Sequence, residues 1–189
     1  MDTIRAWTRQ HENALRELRQ TGCYRVREAY IREKNDSISE YYLALYDWYA
    51  AGAEKLVPRP AGAQYPIWLY LDDTAKLPPL PGTVVMELEI PRALVVVTDS
   101  DRWGYRVNDM YIPLDEADSR RHEEELRRYG IASETILMRT DKGNFYPLLR
   151  RKIAGSWDRV FDPPAVIGPT AQGTVWELRE AWLRSVTGV

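Results

Sequence analysis

An apolar run at residues 94–97 passes directly into Thr98-Asp-Ser-Asp101. A short continuous apolar run bounded by turn-forming residues is typical of a strand inside a sheet, so the run predicts a central strand. Within a few residues of its end the chain carries Asp99, Asp101, Trp103 and Asn108. Polar and aromatic groups gathered at a strand end are typical of ligand sites. The segment therefore predicts both a buried strand and a candidate site.

Other segments alternate strand and helix patterns along the chain. Alternation or strand-forming residues predict strands at 4–9, 23–26, 65–71, 83–90 and 174–178. Helical spacing predicts a helix at 12–20 that stops at Gly22 and a second one that starts at Asp36 or Ser37 and ends before residues 57–60. Residues 145–160 are also predicted to be helical. The charged segment 115–130 is a solvated helix or a flexible excursion, and residues 181–186 are a strand or a short helix.

These short, mixed elements indicate the fold class. A chain of 189 residues that is 44% apolar and 29% charged is typical of one soluble globular domain, and no linker or internal repeat interrupts it. Strands and helices that do not alternate regularly favour an α+β fold. We expect a single domain over residues 1–189, with a compact, mostly antiparallel split sheet flanked by helices.

Charge and composition exclude several classes of function. A net charge of −2 does not form a basic footprint for nucleic acid, although a local patch such as that at residues 150–152 stays open. The chain has no apolar run near the roughly 20 residues that span a bilayer and no apolar signal-peptide core at its start, so we expect a cytoplasmic protein without a membrane partner. One cysteine and two histidines predict no zinc site. Gly-rich phosphate-binding motifs are absent from the sequence.

Two groups of residues offer binding chemistry, each with a simpler structural alternative. Seven Trp and twelve Tyr suit a cleft for flat polar ligands, or fill a core and its rim. Asp99 and Asp101 lie two positions apart and would leave a continuing strand on one face, where they could serve as acid and base, bind Mg²⁺ or hold a ribose diol. The alternative is a turn, because Asp side chains bond nearby backbone N–H groups. Asn108 either contacts a ligand or caps a helix or turn.

Six segments in one order resemble a family of bacterial proteins, the domain-of-unknown-function family 3841. The resemblance covers nearly the whole chain and implies a fold more than a reaction. It rests on Trp7-Thr-Arg-Gln10 with the following helix and Gly22, Tyr65-Pro-Ile-Trp68, Glu87-Leu-Glu-Ile-Pro91, Thr98-Asp-Ser-Asp-Arg-Trp103 with Asn108, Ser156-Trp-Asp-Arg-Val-Phe-Asp162, and Gln172-Gly-Thr-Val-Trp176.

A second resemblance, to the ADP-ribosyltransferase fold, rests on Trp7-Thr8, the helix ending at Gly22, and Gln172 before Val175-Trp176. It implies NAD or a related nucleotide as cofactor. The chain departs from that pattern because Thr8 replaces the His or Arg of the first strand and Gln172-Gly-Thr replaces the acidic motif. Under this resemblance, the expected catalytic residues are Gln172, Asp101 and Asp99, and the expected cofactor-binding residues are Thr8, Gln10, Tyr65, Trp68, Trp103 and Asn108.

The sequence supports two hypotheses about function, one an enzyme and the other a binding module. The first is a divergent ADP-ribosyltransferase-like enzyme that uses NAD and modifies a protein acceptor or is held by an antitoxin. The second is a non-catalytic module that binds a nucleotide or a partner protein, with the same aromatic residues forming its pocket. The incomplete catalytic pattern favours the second, and the polar groups at strand ends favour the first.

Overall fold

A six-stranded antiparallel sheet forms the centre of the first of two compact units. The computed structural model describes residues 2–188, apart from the side chains of residues 34 and 35. The first unit comprises the chain up to Asp99 and the chain from Pro163 onward. Its described helices and strands, in chain order, are β1 (Thr3–His11), α1 (Glu12–Thr21), β2 (Cys23–Tyr24), α2 (Glu28–Asn35), α3 (Ser39–Ala53), β3 (Ile67–Tyr70), β4 (Thr83–Pro91), β5 (Val96–Asp99), β6 (Ala171–Val175), β7 (Leu178–Arg179) and β8 (Leu183–Thr187).

Strands β1 and β4 form the longest ladder of this sheet. They pair antiparallel over nine residues, from Thr3 opposite Pro91 to His11 opposite Thr83. The order of the sheet is β5-β6-β3-β1-β4-β8, and all of its pairs are antiparallel. Strands β2 and β7 form a separate two-stranded ribbon. The predicted α+β fold with a mostly antiparallel sheet in two parts is therefore confirmed.

Alternation along the strands gives the sheet two different faces. On one face, Ile4 and Ala6 of β1 pack in the main core with Leu15 and Leu18 of α1. Trp7 follows Ala6 on β1, so its side chain lies on the other face. There α3 covers part of the sheet, with Tyr49 fully buried.

The apolar run at 94–97 is not a central strand, and this prediction is wrong. Strand β5 begins at Val96 and stands at one end of the strand order. Val95, Val96, Val97 and Thr98 are nevertheless all buried. A continuous apolar run indicates that both faces of a strand are buried. An end strand can be buried on both faces just as a central strand can, so the run does not distinguish the two.

Helices and short turns form the second unit, Ser100–Asp162. Its described helices are α4 (Ser100–Val107), α5 (Glu116–Arg128), α6 (Glu134–Arg139) and α7 (Pro147–Ser156), with 3₁₀ turns at Asp141–Phe145 and Trp157–Phe161. One cluster of its core contains the buried residues Tyr111, Leu137, Leu149 and Ile153. The prediction of a single domain is not tested by this division and stays a prediction. Among residues 2–188, no helix has the length and apolarity that crossing a membrane requires.

Helices α2, α4 and α6 were not expected from the sequence. Residues 98–101 were interpreted as a turn or a continuing strand, but Asp99 ends β5 and Asp101 lies in the first turn of α4. Ser and Asp are favoured at turns and at helix starts for the same reason, because their side chains accept hydrogen bonds from nearby backbone N–H groups. The two structures are therefore hard to tell apart from composition alone.

Two glycines of the second unit give a matched test of its packing. A Cβ on Gly143 would lie 2.5 Å from the carbonyl oxygen of Leu137 and would collide with the Arg150 side chain, whereas a Cβ on Gly155 would meet nothing within 4 Å. We expect Gly143→Ala to lower the free energy of unfolding by about 1–3 kcal/mol. Gly155→Ala, in helix α7, should raise it by about 0.5–1 kcal/mol. Urea denaturation followed by circular dichroism measures both, and equal effects would contradict the packing described.

Candidate functional site

Three of the predicted site residues meet on strands β1 and β3. The Gln10 side-chain amide donates to Thr8 Oγ1 at 2.8 Å, and the Thr8 hydroxyl donates to the main-chain oxygen of Trp68 at 2.8 Å. Thr8 is buried. The Trp68 ring packs against Tyr49 with ring centroids 4.7 Å apart. The polar groups of Thr8 and Gln10 are thus occupied by each other and by the sheet.

Tyr65 and Gln172 lie elsewhere in the first unit. The Tyr65 hydroxyl donates to Asp47 at 2.9 Å, and burial together with that carboxylate raises the Tyr65 pKa to about 12. Its ring packs in a small core with Ile31 and Leu43. Gln172 is half-buried on β6, opposite Tyr70 on one side and Thr98 on the other. Their roles in binding or catalysis stay predictions.

The residues around the end of β5 fall on separate elements. Asp99 accepts a hydrogen bond from the Thr170 hydroxyl at 2.9 Å within the first unit. Asp101 is exposed and Trp103 half-buried on helix α4 of the second unit. The Asn108 amide donates to Gly104 O at 2.9 Å, which is the helix-end contact that the structural alternative described. The predicted ligand roles of these residues are untested.

A surface groove in the second unit is a concave feature that sequence reasoning missed. Its volume is about 480 Å³, and its apolar lining consists of Tyr129, Ile131, Ile136, Leu137, Phe145 and Tyr146. Phe145 is 81% exposed, Ile136 49% and Tyr129 48%. Leu137 is buried and belongs to the core beneath. The groove therefore has a packed floor and an exposed aromatic and aliphatic rim.

The turn between α5 and α6 shapes one wall of the groove. Helix α5 ends at Arg128, and Gly130 follows with a φ of 65°, a left-handed conformation that favours glycine. The chain reverses there, and Ile131 N donates to Leu126 O at 2.9 Å. Ser133 then caps the start of helix α6, and its hydroxyl accepts from Ile136 N at 3.3 Å. Tyr146 belongs to the opposite wall, and the centroid of its ring lies 5.5 Å from that of Tyr129.

The groove lining includes a lysine, and two arginines lie next to it in the chain. Lys142 lines it, and Arg127 and Arg128 directly precede Tyr129. Among the described residues, none of these three cations has a carboxylate within 4.0 Å. Arg150 packs next to Gly143 and donates to the Asn144 side chain at 3.2 Å. From Arg127 to Arg150 the chain carries five cations and two acidic residues, Glu134 and Asp141, so the local balance is basic.

A buried polar network holds the helices behind this groove. His122 Nε2 lies 2.8 Å from Glu134 Oε1, and the same carboxylate oxygen accepts from Tyr111 N at 2.9 Å. His122 is 4% exposed and Glu134 9%. The Tyr111 ring stacks on His122 at 4.2 Å between centroids. Because Glu134 opens α6 and His122 belongs to α5, the network fixes the angle at which the two helices meet.

Asp118 anchors the start of α5 in the same network. It accepts hydrogen bonds from Leu114 N and from the Tyr111 hydroxyl, at 2.9 and 2.8 Å. The Leu114 bond is the main cause of a pKa below the ordinary value, with Tyr111 and Arg121 adding to it. The charges of this segment were interpreted as a solvated face. The i,i+4 spacing of Asp118 and His122 is the signal that could have indicated a polar stripe turned inward.

Another buried carboxylate lies beside the β2–β7 ribbon. Glu177, 4% exposed, accepts bonds from Arg25 Nη2 at 2.6 Å and from Arg179 Nε at 2.9 Å. Burial raises its pKa, but the two arginines outweigh burial and the net shift is downward. Cys23 Sγ lies 3.5 Å from Glu177, and burial is the main cause of its raised pKa. A raised thiol pKa disfavours the nucleophilic thiolate.

The Glu177 cluster predicts a pH dependence of stability. A carboxylate whose folded pKa is lowered stabilises the fold above its unfolded pKa of about 4.3 and loses that contribution as the pH falls. We expect Glu177→Gln to destabilise the protein at neutral pH by about 1–3 kcal/mol. The difference from wild type should narrow below pH ~4 as the wild-type carboxylate takes up a proton.

Urea denaturation over a pH series measures the effect. Glu33→Gln, at an exposed carboxylate, controls for the loss of one surface charge. A constant difference between Glu177→Gln and wild type from neutral to acidic pH would contradict the assignment.

Among the described residues, no group of three or more His, Cys, Asp or Glu side chains has the arrangement to hold a metal ion. A family model described as a domain of unknown function, DUF3841, matches residues 5–184. No curated protein and no solved structure matches the chain. The resemblance to the ADP-ribosyltransferase fold therefore finds no support among these comparisons.

Proposed function

The chain belongs to the family described as the domain of unknown function DUF3841, and we propose that it is a partner-binding protein whose second unit holds a segment of another protein in the groove around Phe145. The observation that carries the proposal is the exposure of this ring. Phe145 is 81% exposed at the mouth of a concave apolar surface. Contiguous apolar surface rimmed by polar groups is typical of interaction sites in soluble proteins.

The composition of the groove matches the composition of binding hot spots. Aromatic residues are enriched in the centre of protein interfaces because a rigid ring buries a large area at a small cost in side-chain entropy. Tyr129, Phe145 and Tyr146 are such residues. The buried His122–Glu134 pair and the Gly130 turn hold the walls before a partner arrives. A preformed groove loses less conformational entropy when a partner binds.

The cations near the groove indicate which kind of partner segment would bind there. Lys142 lines the groove, and Arg127 and Arg128 precede its Tyr129 in the chain. Among the described residues none of the three has a carboxylate partner. A partner segment with acidic residues on either side of apolar anchors would supply the missing counter-charges while its anchors enter the groove. The occupant is therefore an acidic, apolar-anchored segment of a partner protein.

Two synthetic peptides test this proposal. They share leucine and phenylalanine anchors, and one has glutamate and the other lysine on the flanks. We expect the acidic peptide to bind more tightly and to shift the backbone amide NMR signals of Tyr129, Ile136 and Phe145. Phe145→Ala should weaken binding by roughly tenfold. Lys142→Glu should weaken the acidic peptide and not the basic one.

Leu56→Ala is the matched control, because Leu56 is an apolar residue of the first unit that is 56% exposed. Its affinity should equal that of the wild type. Unchanged affinity of Phe145→Ala, or shifts that map outside the groove, would overturn the proposal. Sedimentation velocity adds a second check: a concentration-dependent dimer that Phe145→Ala abolishes would assign the groove to a second copy of the chain instead.

Use of NAD or a related nucleotide is the competing proposal, and it comes from the sequence alone. It requires Gln172 to orient a ribose and Asp99 or Asp101 to act as acid, base or ribose anchor. NAD⁺ at about 100 times its Kd would raise the free energy of unfolding by roughly 2.7 kcal/mol, visible as a higher melting temperature. Release of nicotinamide that Gln172→Ala and Asp101→Asn both abolish, with the fold intact, would favour an enzyme over the partner-binding function. An unchanged melting temperature with millimolar NAD⁺ would remove the nucleotide proposal.

A further inference from the structure

The sheet face that carries Trp7 holds a second concave site, and it belongs to the first unit alone. The cavity beside Trp7 has a volume of about 320 Å³. Its apolar walls come from Trp7, Leu77, Pro78, Pro79 and Val85. This volume lies at the lower end of the range for small-molecule pockets, about 300–1,000 Å³. It suits a single small molecule and is too small for an intact dinucleotide.

The walls of this cavity are fixed by local bonds. Arg9 Nη1 donates to Pro78 O at 3.1 Å and so ties the proline loop to β1. The Thr83 hydroxyl accepts from Leu80 N at 2.7 Å and donates to Leu80 O at 2.8 Å. Prolines at 78, 79 and 81 restrict the backbone of the same loop. The cavity is therefore formed in the absence of a ligand.

One cation of the cavity forms no close ion pair. The Lys76 ammonium lies 5.3 Å from the centre of the Trp7 ring, and among the described residues no carboxylate stands within 4.0 Å of it. Lys76 is exposed and lines the cavity. A ligand carboxylate would give this ammonium a charge-assisted hydrogen bond.

Carboxylates also line this cavity. Glu87 Oε1 is bonded by Arg5, while Oε2 accepts the Ser185 hydroxyl at 2.8 Å. The Ser185 bond is the main cause of a Glu87 pKa below the ordinary value, so this carboxylate is ionised at neutral pH. A carboxylate oxygen has about two acceptor positions, so Oε2 retains one. Asp73 also lines the cavity.

We propose that this cavity binds a free α-amino acid with an apolar side chain. The ligand carboxylate pairs with Lys76, the ligand ammonium meets Glu87 and Asp73, and the side chain lies along the proline and Trp7 walls. This assignment uses no residue of the Phe145 groove and goes beyond the partner-binding function. It makes the first unit a sensor or carrier for a small zwitterion.

Three probes that share a phenyl side chain test the assignment on the full chain. L-Phenylalanine carries both charges, 3-phenylpropionate lacks the ammonium group, and phenethylamine lacks the carboxylate. We expect phenylalanine to shift the backbone amide NMR signals of Trp7, Lys76 and Ser185 at millimolar concentration. Each of the two analogues should bind roughly tenfold or more weakly, because each lacks one of the two charge-assisted contacts that phenylalanine makes.

Lys76→Gln should lower the affinity for phenylalanine about tenfold and leave the weaker affinity for phenethylamine unchanged. Lys55→Gln removes an exposed lysine of the same unit that does not line the cavity, and should bind as wild type. Both variants alter exposed side chains, and urea denaturation checks that they fold. No signal shift with phenylalanine, leucine or tryptophan would overturn the assignment, as would equal affinity for all three phenyl probes or unchanged affinity in Lys76→Gln.

Discussion

The nine-residue pairing of β1 with β4 is the constraint on which the first unit depends. Side chains alternate along a strand, so a shift of this register by one residue would exchange the two faces of the sheet. In the observed register, Ala6 lies opposite Leu88 in the core, while Trp7 lies opposite Glu87 on the far face. Burial of Ala6, Leu88 and their neighbours selects this register. A shift by one residue would instead bury the charged side chains of Arg5 and Glu87 away from solvent. The same choice puts Trp7 and Glu87 side by side at the cavity.

In the second unit the corresponding constraint is polar. One apolar cluster of this unit has only four buried members among the residues described, and buried hydrogen bonds join its helices. Ser156 accepts from Ile112 N at 2.9 Å and donates to Ile153 O at 2.7 Å. Arg106 bonds Asp109 at 2.8 Å while its guanidinium lies 3.9 Å from the Trp157 ring. Such bonds are directional, so they fix helix positions that apolar packing alone would leave adjustable.

The sequence predicted those elements whose signals are local. Helix α1 ends where Gly22 was expected to end it, with a φ of 76° and a bond from Gly22 N to Leu18 O, and the alternation of residues 83–90 matches β4 closely. The groove could not be predicted in the same way. Tyr129, Ile136 and Phe145 stand in separate, mostly polar segments, and they become neighbours only through the Gly130 turn and helix α6. The cavity has the same origin: Lys76 and Ser185 are far apart in sequence and meet because β8 pairs with β4.

The His122–Glu134 pair resembles a catalytic dyad in its residue types, yet its surroundings argue for a positioning role. A general base must reach the proton that it removes, at roughly 2.6–3.2 Å or through one water. His122 is 4% exposed, its Nε2 is occupied by Glu134, and the Tyr111 ring covers it. Its Nδ1 stands 3.9 Å from Glu125, whose carboxylate is bonded by Lys152 at 2.6 Å. Both nitrogens thus face protein groups of helices α5, α6 and α7. The buried polar groups of this unit therefore hold the shape of the groove, and under the proposed function the surface that meets a partner is the apolar rim around Phe145.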